Sequence, residues 1–170
     1  TGAVTATAIS SDGVKILSGS CDNSVALWST VSSEGPVIFE GHQGCVRSVA
    51  FSPDRSKIAS GSDDKTVMVW DFHEQVCLFT FDGHAHGVYS AAFSPDGKHL
   101  VTGDNTTISV SSPFADWVNL IEGDSVADHR HNRLKVWNLM AAECVFTSEE
   151  IDLFGHRSVG FTGNSVDGLK

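Results

Sequence analysis

Residues 41–82 read GHQGCVRSVAFSPDRSKIASGSDDKTVMVWDFHEQVCLFTFD, and this stretch decides the fold. Turn-forming residues divide it into four short apolar runs, which are residues 46–51, 57–61, 67–71 and 76–81. Each run is rich in β-branched or aromatic residues and is bounded by Gly, Pro, Asp or Lys, which is typical of a strand. The short connections between the runs predict an antiparallel meander of four strands.

The same pattern recurs along the chain with a step of 42 residues. A fixed period of this length indicates stacked structural repeats, each of which cannot bury its apolar face alone. The chain holds three copies and the opening of a fourth. The positions in register are Gly19, Gly61 and Gly103; Asp12, Asp54 and Asp96; Ile9, Phe51 and Phe93; His42 and His84; and Trp28 and Trp70.

A unit that opens on Gly-His and carries Trp-Asp near the end of its third strand resembles the WD40 (WD-repeat) family. The dipeptide is intact once, at Trp70-Asp71, and the other copies read Trp28-Ser29 and Trp137-Asn138. The resemblance implies an all-β fold, in which four-stranded antiparallel blades form part of a β-propeller.

The repeat divides the chain into four expected units, residues 1–40, 41–82, 83–154 and 155–170. The counterpart of His42 in the first unit falls before Thr1, so we expect a longer natural protein, cut inside a Gly-His loop. Propellers usually close with four to eight blades. We therefore expect an open arc of about three to three and a half blades, whose end faces further repeats or self-association would cover.

The WD-repeat resemblance also implies a hydrogen-bonded set of His, Ser or Thr, Asp and Trp within each blade. Such a set resembles a catalytic triad, but a unique active site would not recur at a fixed period, so a structural clamp is favoured. Its expected members are His42, Ser60, Asp64 and Trp70 in the second unit, Ser18, Asp22 and Trp28 in the first, and His84, Thr102 and Trp137 in the third.

The third unit contains an insertion at about residues 104–134. Gly61 to Trp70 spans 9 positions, whereas Gly103 to Trp137 spans 34. The insertion places Thr106 where the clamp Asp would stand, so the third blade is expected to lack its carboxylate. Two interpretations stay open. Phe114 and Trp117 favour a partner-binding loop on the face of the Gly-His loops, whereas the restored spacing after removal of the extra residues favours a retained in-frame intron.

Elsewhere, the best candidates for partner contact lie beside the Gly-His loops. Arg47 and Tyr89 stand 42 residues apart in the first strands of their units, and both residue types are favoured as interface anchors. Asp63 and His86 complete the candidate set. The alternative is that all four are ordinary surface side chains.

Composition narrows the possible classes of function and the expected compartment. With 11 Lys and Arg against 21 Asp and Glu, the net charge of -10 disfavours nucleic-acid binding. No apolar run is long enough to span a membrane. Cys21, Cys45, Cys77 and Cys144 form no Cys-x-x-Cys pair, so we expect four free thiols in the cytoplasm or nucleus. Neither a cofactor nor a metal is indicated.

These observations predict a non-catalytic scaffold that binds a peptide or protein on its loop-bearing face. One alternative is a sensor or regulatory repeat region within a larger multidomain signalling protein. A remote alternative is an enzyme built on a propeller, which needs a polar cluster confined to one blade. Only residues 128–131, which read Asp-His-Arg-His, offer one.

Overall fold

The computed structural model describes residues 2–104, 108–109, 119–120 and 133–147. These residues form strands and turns without a helix, which confirms the all-β prediction. The strands are β1 Val4–Ile9, β2 Lys15–Ser20, β3 Val25–Ser29, β4 Val37–Phe39, β5 Val46–Phe51, β6 Lys57–Ser62, β7 Val67–Asp71, β8 Cys77–Phe81, β9 Val88–Phe93, β10 His99–Asp104, β11 Ile108–Ser109, β12 Asn119–Leu120, β13 Leu134–Asn138 and β14 Glu143–Thr147.

Twelve of these strands form three four-stranded antiparallel sheets, which we call blades. Blade 1 has the order β1-β2-β3-β4, blade 2 the order β5-β6-β7-β8, and blade 3 the order β9-β10-β13-β14. The three sheets do not close into a ring. The remaining strands, β11 and β12, pair with each other between β10 and β13, within the insertion predicted from the repeat spacing.

The recurrent aspartates at positions 12, 54 and 96 build the turn between the first two strands of each blade. In blade 2, Asp54 Oδ1 accepts hydrogen bonds from the Ser52 hydroxyl (2.6 Å) and from the backbone N–H of Ser56 (3.0 Å). A side chain that bonds its own backbone in this way stabilises a tight turn. Asp12 and Asp96 accept the corresponding hydroxyl hydrogen bonds from Ser10 and Ser94. This local requirement explains why the position repeats.

The apolar core lies between successive blades, as the repeat predicts. Phe39, at the end of the outermost strand of blade 1, packs on Trp70 of blade 2 with ring centroids 5.6 Å apart. Phe81, at the equivalent position of blade 2, stacks on Trp137 of blade 3 with ring centroids 4.6 Å apart. Blade 2 therefore supplies a wall to the core on either side of it.

Two of the recurrent glycines allow the blades to approach each other closely. A Cβ atom on Gly19 would lie 2.7 Å from Val46 Cγ1 of the next blade. A Cβ atom on Gly61 would lie equally close, 2.7 Å, to Val88 Cγ1. Both distances are shorter than a carbon–carbon contact, so any side chain at either position would push the blades apart.

One face of blade 1 has no sheet packed against it in the described part of the chain. Val4 is 62% exposed, whereas its counterparts Val46 and Val88 are fully buried. Trp28 is 44% exposed, whereas Trp70 and Trp137 are buried. This exposed apolar face is the one expected of an end blade.

The expectation of four free cysteines is wrong. Cys21 and Cys45 form a disulfide, and only Cys77 and Cys144 are free and exposed. Cys21 follows β2 of blade 1 and Cys45 precedes β5 of blade 2, so the bond joins two blades. Spacing along the chain does not reveal this pair, because stacking of the repeats brings the two positions together.

Candidate partner-binding face

The loops that precede the first strand of each blade lie beside the turns that join its second and third strands. In blade 2, the backbone N–H of Gln43 donates to Asp64 Oδ2 (2.8 Å), and that of Asp63 donates to the carbonyl of Cys45 (2.9 Å). We call this surface the loop face. It comprises residues 2–3, 21–24, 41–45, 63–65 and 83–87.

A hydrogen-bonded set of buried side chains lies beneath the loop face in blade 2. His42 Nδ1 lies 2.9 Å from Asp64 Oδ2, and His42 Nε2 lies 2.8 Å from Ser60 Oγ. The indole N–H of Trp70 donates to the same Ser60 oxygen at 2.9 Å. The Thr66 hydroxyl donates to Asp64 Oδ1 at 2.6 Å. The structure thus brings together the four residues that the resemblance implies for this blade.

The chemistry of the groups fixes the direction of this chain of hydrogen bonds. An ionised carboxylate only accepts, so Asp64 favours a proton on His42 Nδ1. The Nε2 atom of a neutral His42 then accepts the hydroxyl proton of Ser60, whose oxygen accepts from Trp70. Every polar group is paired, which is the condition for burying them at low cost.

This arrangement has the order of a catalytic triad but lacks the access that catalysis needs. Ser60 is fully buried, and His42 is 4% exposed. A nucleophile must reach its substrate, and stabilising groups for the developing charge must lie beside it. The hydroxyl of Ser60 is instead shared between an imidazole and an indole inside the blade. The geometry therefore favours a structural clamp.

Blade 3 contains a corresponding set with one difference. His84 Nε2 lies 2.7 Å from Thr102 Oγ1, and the Trp137 indole N–H donates to that oxygen at 2.8 Å. The expectation that the insertion removes the carboxylate is wrong, because Asp104 lies 3.3 Å from His84 Nδ1. Thr106, the position inferred from the spacing, lies outside the described residues.

Asp104 stands one residue after the recurrent glycine, at the repeat position of Ser62, whereas Asp64 stands three residues after it. The register between β9 and β10 shifts at this position, as it does between the first two strands of blades 1 and 2. Asp104 Oδ1 accepts from the backbone N–H of Arg133 (2.7 Å), and Oδ2 accepts from that of Ala85 (3.2 Å). Asp104 therefore closes the neck of the insertion. A Gly-Asp pair at the start of an insertion is the sequence signal that spacing alone missed.

Blade 1 carries a partial set. The Trp28 indole N–H donates to Ser18 Oγ at 2.8 Å, as in the other blades. Asp22 Oδ2 accepts the backbone N–H of Gly2 at 3.0 Å. These two contacts share no histidine in the described residues, and Trp28 remains 44% exposed.

The buried carboxylate of Asp64 makes the stability of blade 2 depend on pH. Burial alone would raise its pKa, but hydrogen bonds from Thr66, the Gln43 N–H and His42 outweigh burial and lower the pKa from 3.8 to about 2. The folded chain holds this carboxylate ionised at a pH where the unfolded chain takes up a proton. Its contribution is therefore present above pH 4 and lost as the pH falls towards 2.

We expect Asp64→Asn to flatten this acid dependence and to lower the unfolding free energy at pH 5 by roughly 2 kcal/mol. Urea unfolding between pH 2.5 and pH 5 measures both effects. Asp54, whose pKa the Ser52 hydroxyl lowers to about 2, titrates in the same window. The comparison must therefore be made as a difference between variant and wild type. Equal slopes for the two proteins would contradict the assignment.

Three of the predicted partner-binding residues meet across the junction of blades 2 and 3, with Asp63 on the loop face and with Arg47 and Tyr89 beside it at the starts of β5 and β9. Arg47 Nε lies 3.0 Å from both oxygens of Asp63, and its second guanidinium nitrogen donates at 2.7 Å. The guanidinium carbon lies 5.6 Å from the centre of the Tyr89 ring. We call Arg47, Asp63 and Tyr89 the surface cluster. His86 is exposed on the preceding loop, and Phe114 and Trp117 lie outside the described residues.

The surface cluster is held in place while part of it stays exposed. Tyr89 is 42% exposed, and the side chains of Arg47 and Asp63 are 32% and 31% exposed. The hydrogen bonds that Arg47 donates to Asp63 raise the pKa of its guanidinium. The cluster therefore combines a fixed ion pair with an accessible aromatic ring.

Other kinds of site leave no trace in the described residues. They contain no group of three side chains arranged to hold a metal ion. The Asp-His-Arg-His segment, on which an enzyme hypothesis would depend, lies outside them. Within the same part of the chain, no helix is long and apolar enough to cross a membrane.

The sequence model described as "WD domain, G-beta repeat" matches residues 1–29, 36–71 and 75–110, together more than half of the chain. A search among curated proteins finds no match. Repeats of this kind generally mediate protein–protein interactions, and their domains are typically non-enzymatic. The matched segments contain β1–β3, β4–β7 and β8–β11, whereas β13 and β14 of blade 3 lie outside them. The chain therefore belongs to the WD40 family.

Proposed function

We propose that the chain is a non-catalytic scaffold that holds a peptide or protein partner on its loop face. The observation that carries this proposal is the surface cluster, where Arg47 and Asp63 of blade 2 meet Tyr89 of blade 3. Interface energy concentrates in a few aromatic and arginine side chains set in a rigid surrounding. The cluster provides both residue types on strands and turns rather than on free loops.

The rigidity of the cluster matters for affinity. Immobilising a long side chain on binding costs about 0.5–1.5 kcal/mol. Asp63 already fixes the Arg47 guanidinium. A partner that packs on Tyr89 therefore immobilises few side chains that were mobile before binding. The buried clamp below, from His42 to Asp64, holds the turn that carries Asp63.

The proposal is tested by affinity capture with the full chain followed by titration of the purified partner. We expect Arg47→Ala combined with Tyr89→Ala to weaken binding of that partner at least tenfold, or about 1.4 kcal/mol. The matched control is Arg55→Ala, because Arg55 pairs with Asp12 on the opposite face of the blades. Equal affinity for wild type and the double variant, or equal loss in the control, would refute the assignment of this surface.

A second candidate function is a repeat region within a larger regulatory protein. The exposed apolar face of blade 1, with Val4 and Trp28, favours this alternative. Further WD repeats or a second copy of the chain would bury that face as blade 1 buries the face of blade 2. The full coding sequence distinguishes these two ways of burying the face, because it shows whether the protein contains further WD repeats. The cytoplasm or nucleus stays the predicted compartment.

The insertion also bears on function. Asp104 and Arg133 join its two ends beside Ala85, so the segment leaves blade 3 on the loop face. A carboxylate that serves both the neck and the clamp supports a loop that belongs to the folded protein. Sequencing of spliced transcripts distinguishes a loop of the protein from a retained intron, because the codons of an intron would be absent from the mature transcripts.

A further inference from the structure

The disulfide between Cys21 and Cys45 lies on the loop face at the junction of blades 1 and 2. Cys21 is in the turn that follows β2, and Cys45 is the residue before β5. Both residues are half-buried, so neither lies in the core between the blades. The bond is a covalent link between two blades that otherwise meet through packing and hydrogen bonds.

The repeat explains why these two positions meet. Asp63 occupies the position of Cys21 in blade 2, and Gly87 occupies the position of Cys45 in blade 3. At that second junction, a Cβ atom on Gly87 would lie 3.1 Å from Asp63 Cα. The turn of one blade thus touches the loop of the next at both junctions. Cysteines occupy both positions only at the first.

We propose that Cys21 and Cys45 form a redox-operated tether that locks blade 1 onto blade 2. A thiolate of the glutathione type attacks one sulfur, breaks the protein disulfide and forms a mixed disulfide. A second thiol releases the small-molecule disulfide. Two electrons and two protons end on the pair as free Cys21 and Cys45 thiols. Disulfides persist in oxidising compartments and are reduced in reducing ones, so the state of the tether depends on the redox conditions around the protein.

Blade 1 is the unit that the tether controls. One of its faces is open in the described structure, as exposed Val4 and Trp28 show. It is therefore held mainly from the side of blade 2, and local opening begins where few contacts oppose it. The carbonyl of Cys45 also accepts the N–H of Asp63 at 2.9 Å. Release of the tether thus acts at the edge of the surface cluster.

The test uses the full chain, oxidised or treated with dithiothreitol. Alkylation and peptide mass spectrometry of the untreated protein should find Cys21 linked to Cys45, with only Cys77 and Cys144 modified. Amide hydrogen exchange should then accelerate on reduction on the order of 100-fold in β1–β4, with little change in β9 and β10. Reduction of the wild type needs no substitution, so a failure to fold cannot obscure the result.

Two variants sharpen the experiment. Cys21→Ser should exchange like the reduced protein, with or without dithiothreitol. The double variant Cys77→Ser/Cys144→Ser should keep the full response of the wild type, because it removes only the exposed free thiols. Alkylation of all four cysteines in the untreated folded protein would overturn the proposal. So would a linked pair whose reduction leaves exchange in β1–β4 unchanged.

Discussion

Replacing Trp70 by alanine is expected to lower the unfolding free energy by about 3–5 kcal/mol, the range for removing a large buried aromatic side chain. Trp70 is 3% exposed and packs on Phe39 of the preceding blade. Its removal leaves a cavity between blades and takes away the indole donor of the Ser60 oxygen. Urea denaturation followed by circular dichroism measures the loss.

The repeat supplies a matched control for this substitution. Trp28 makes the same indole hydrogen bond, to Ser18, but is 44% exposed. Trp28→Ala should therefore cost only about 1 kcal/mol. The contrast between two tryptophans at the same position of their repeats isolates the contribution of the inter-blade core. Similar losses for the two variants would show that the core between blades is not the main source of stability.

Replacing Asp104 by alanine is expected to lower the unfolding free energy by about 3 kcal/mol, because the buried His84 ring and the N–H groups of Arg133 and Ala85 lose their carboxylate partner. Burial alone would raise the pKa of Asp104, but His84 and the N–H groups of Arg133 and Ala85 lower it. His84 Nδ1 is buried and has no aligned hydrogen bond, so Asp104 is its electrostatic partner. Thermal unfolding with and without the substitution measures the effect.

The control for Asp104 is Asp82→Ala, which removes the same charge from an exposed position directly after β8. It should change stability by no more than about 0.5 kcal/mol. Limited proteolysis adds a local readout. Loss of Asp104 should open the neck of the insertion first, so cleavage near Arg133 should precede cleavage in blade 2. Matching stabilities for the two variants would disprove the role assigned to Asp104.

The repeat predicts the blades well because each recurrent residue meets a structural requirement of its immediate surroundings. Asp54 folds its own turn, and Gly61 admits Val88, so these residues report the fold wherever they occur. The clamp in blade 2 is predicted through the resemblance to WD repeats, which implies a His, Ser or Thr, Asp and Trp set in each blade. Asp104 was missed because counting from Gly103 places the carboxylate three residues after the glycine, whereas in blade 3 it stands one residue after it. The Cys21–Cys45 bond was missed because it depends on how blades stack.

The contact between Phe39 and Trp70 has a consequence for how the chain can be divided. A cut at residue 40, where the sequence repeat ends, separates Phe39 from Trp70. A cut before β4 keeps these rings together but breaks the pairing of Val25 with Phe39. No position between the first two repeats leaves both contacts whole. We therefore expect that a single repeat does not fold alone and that the smallest folding unit contains at least two neighbouring repeats.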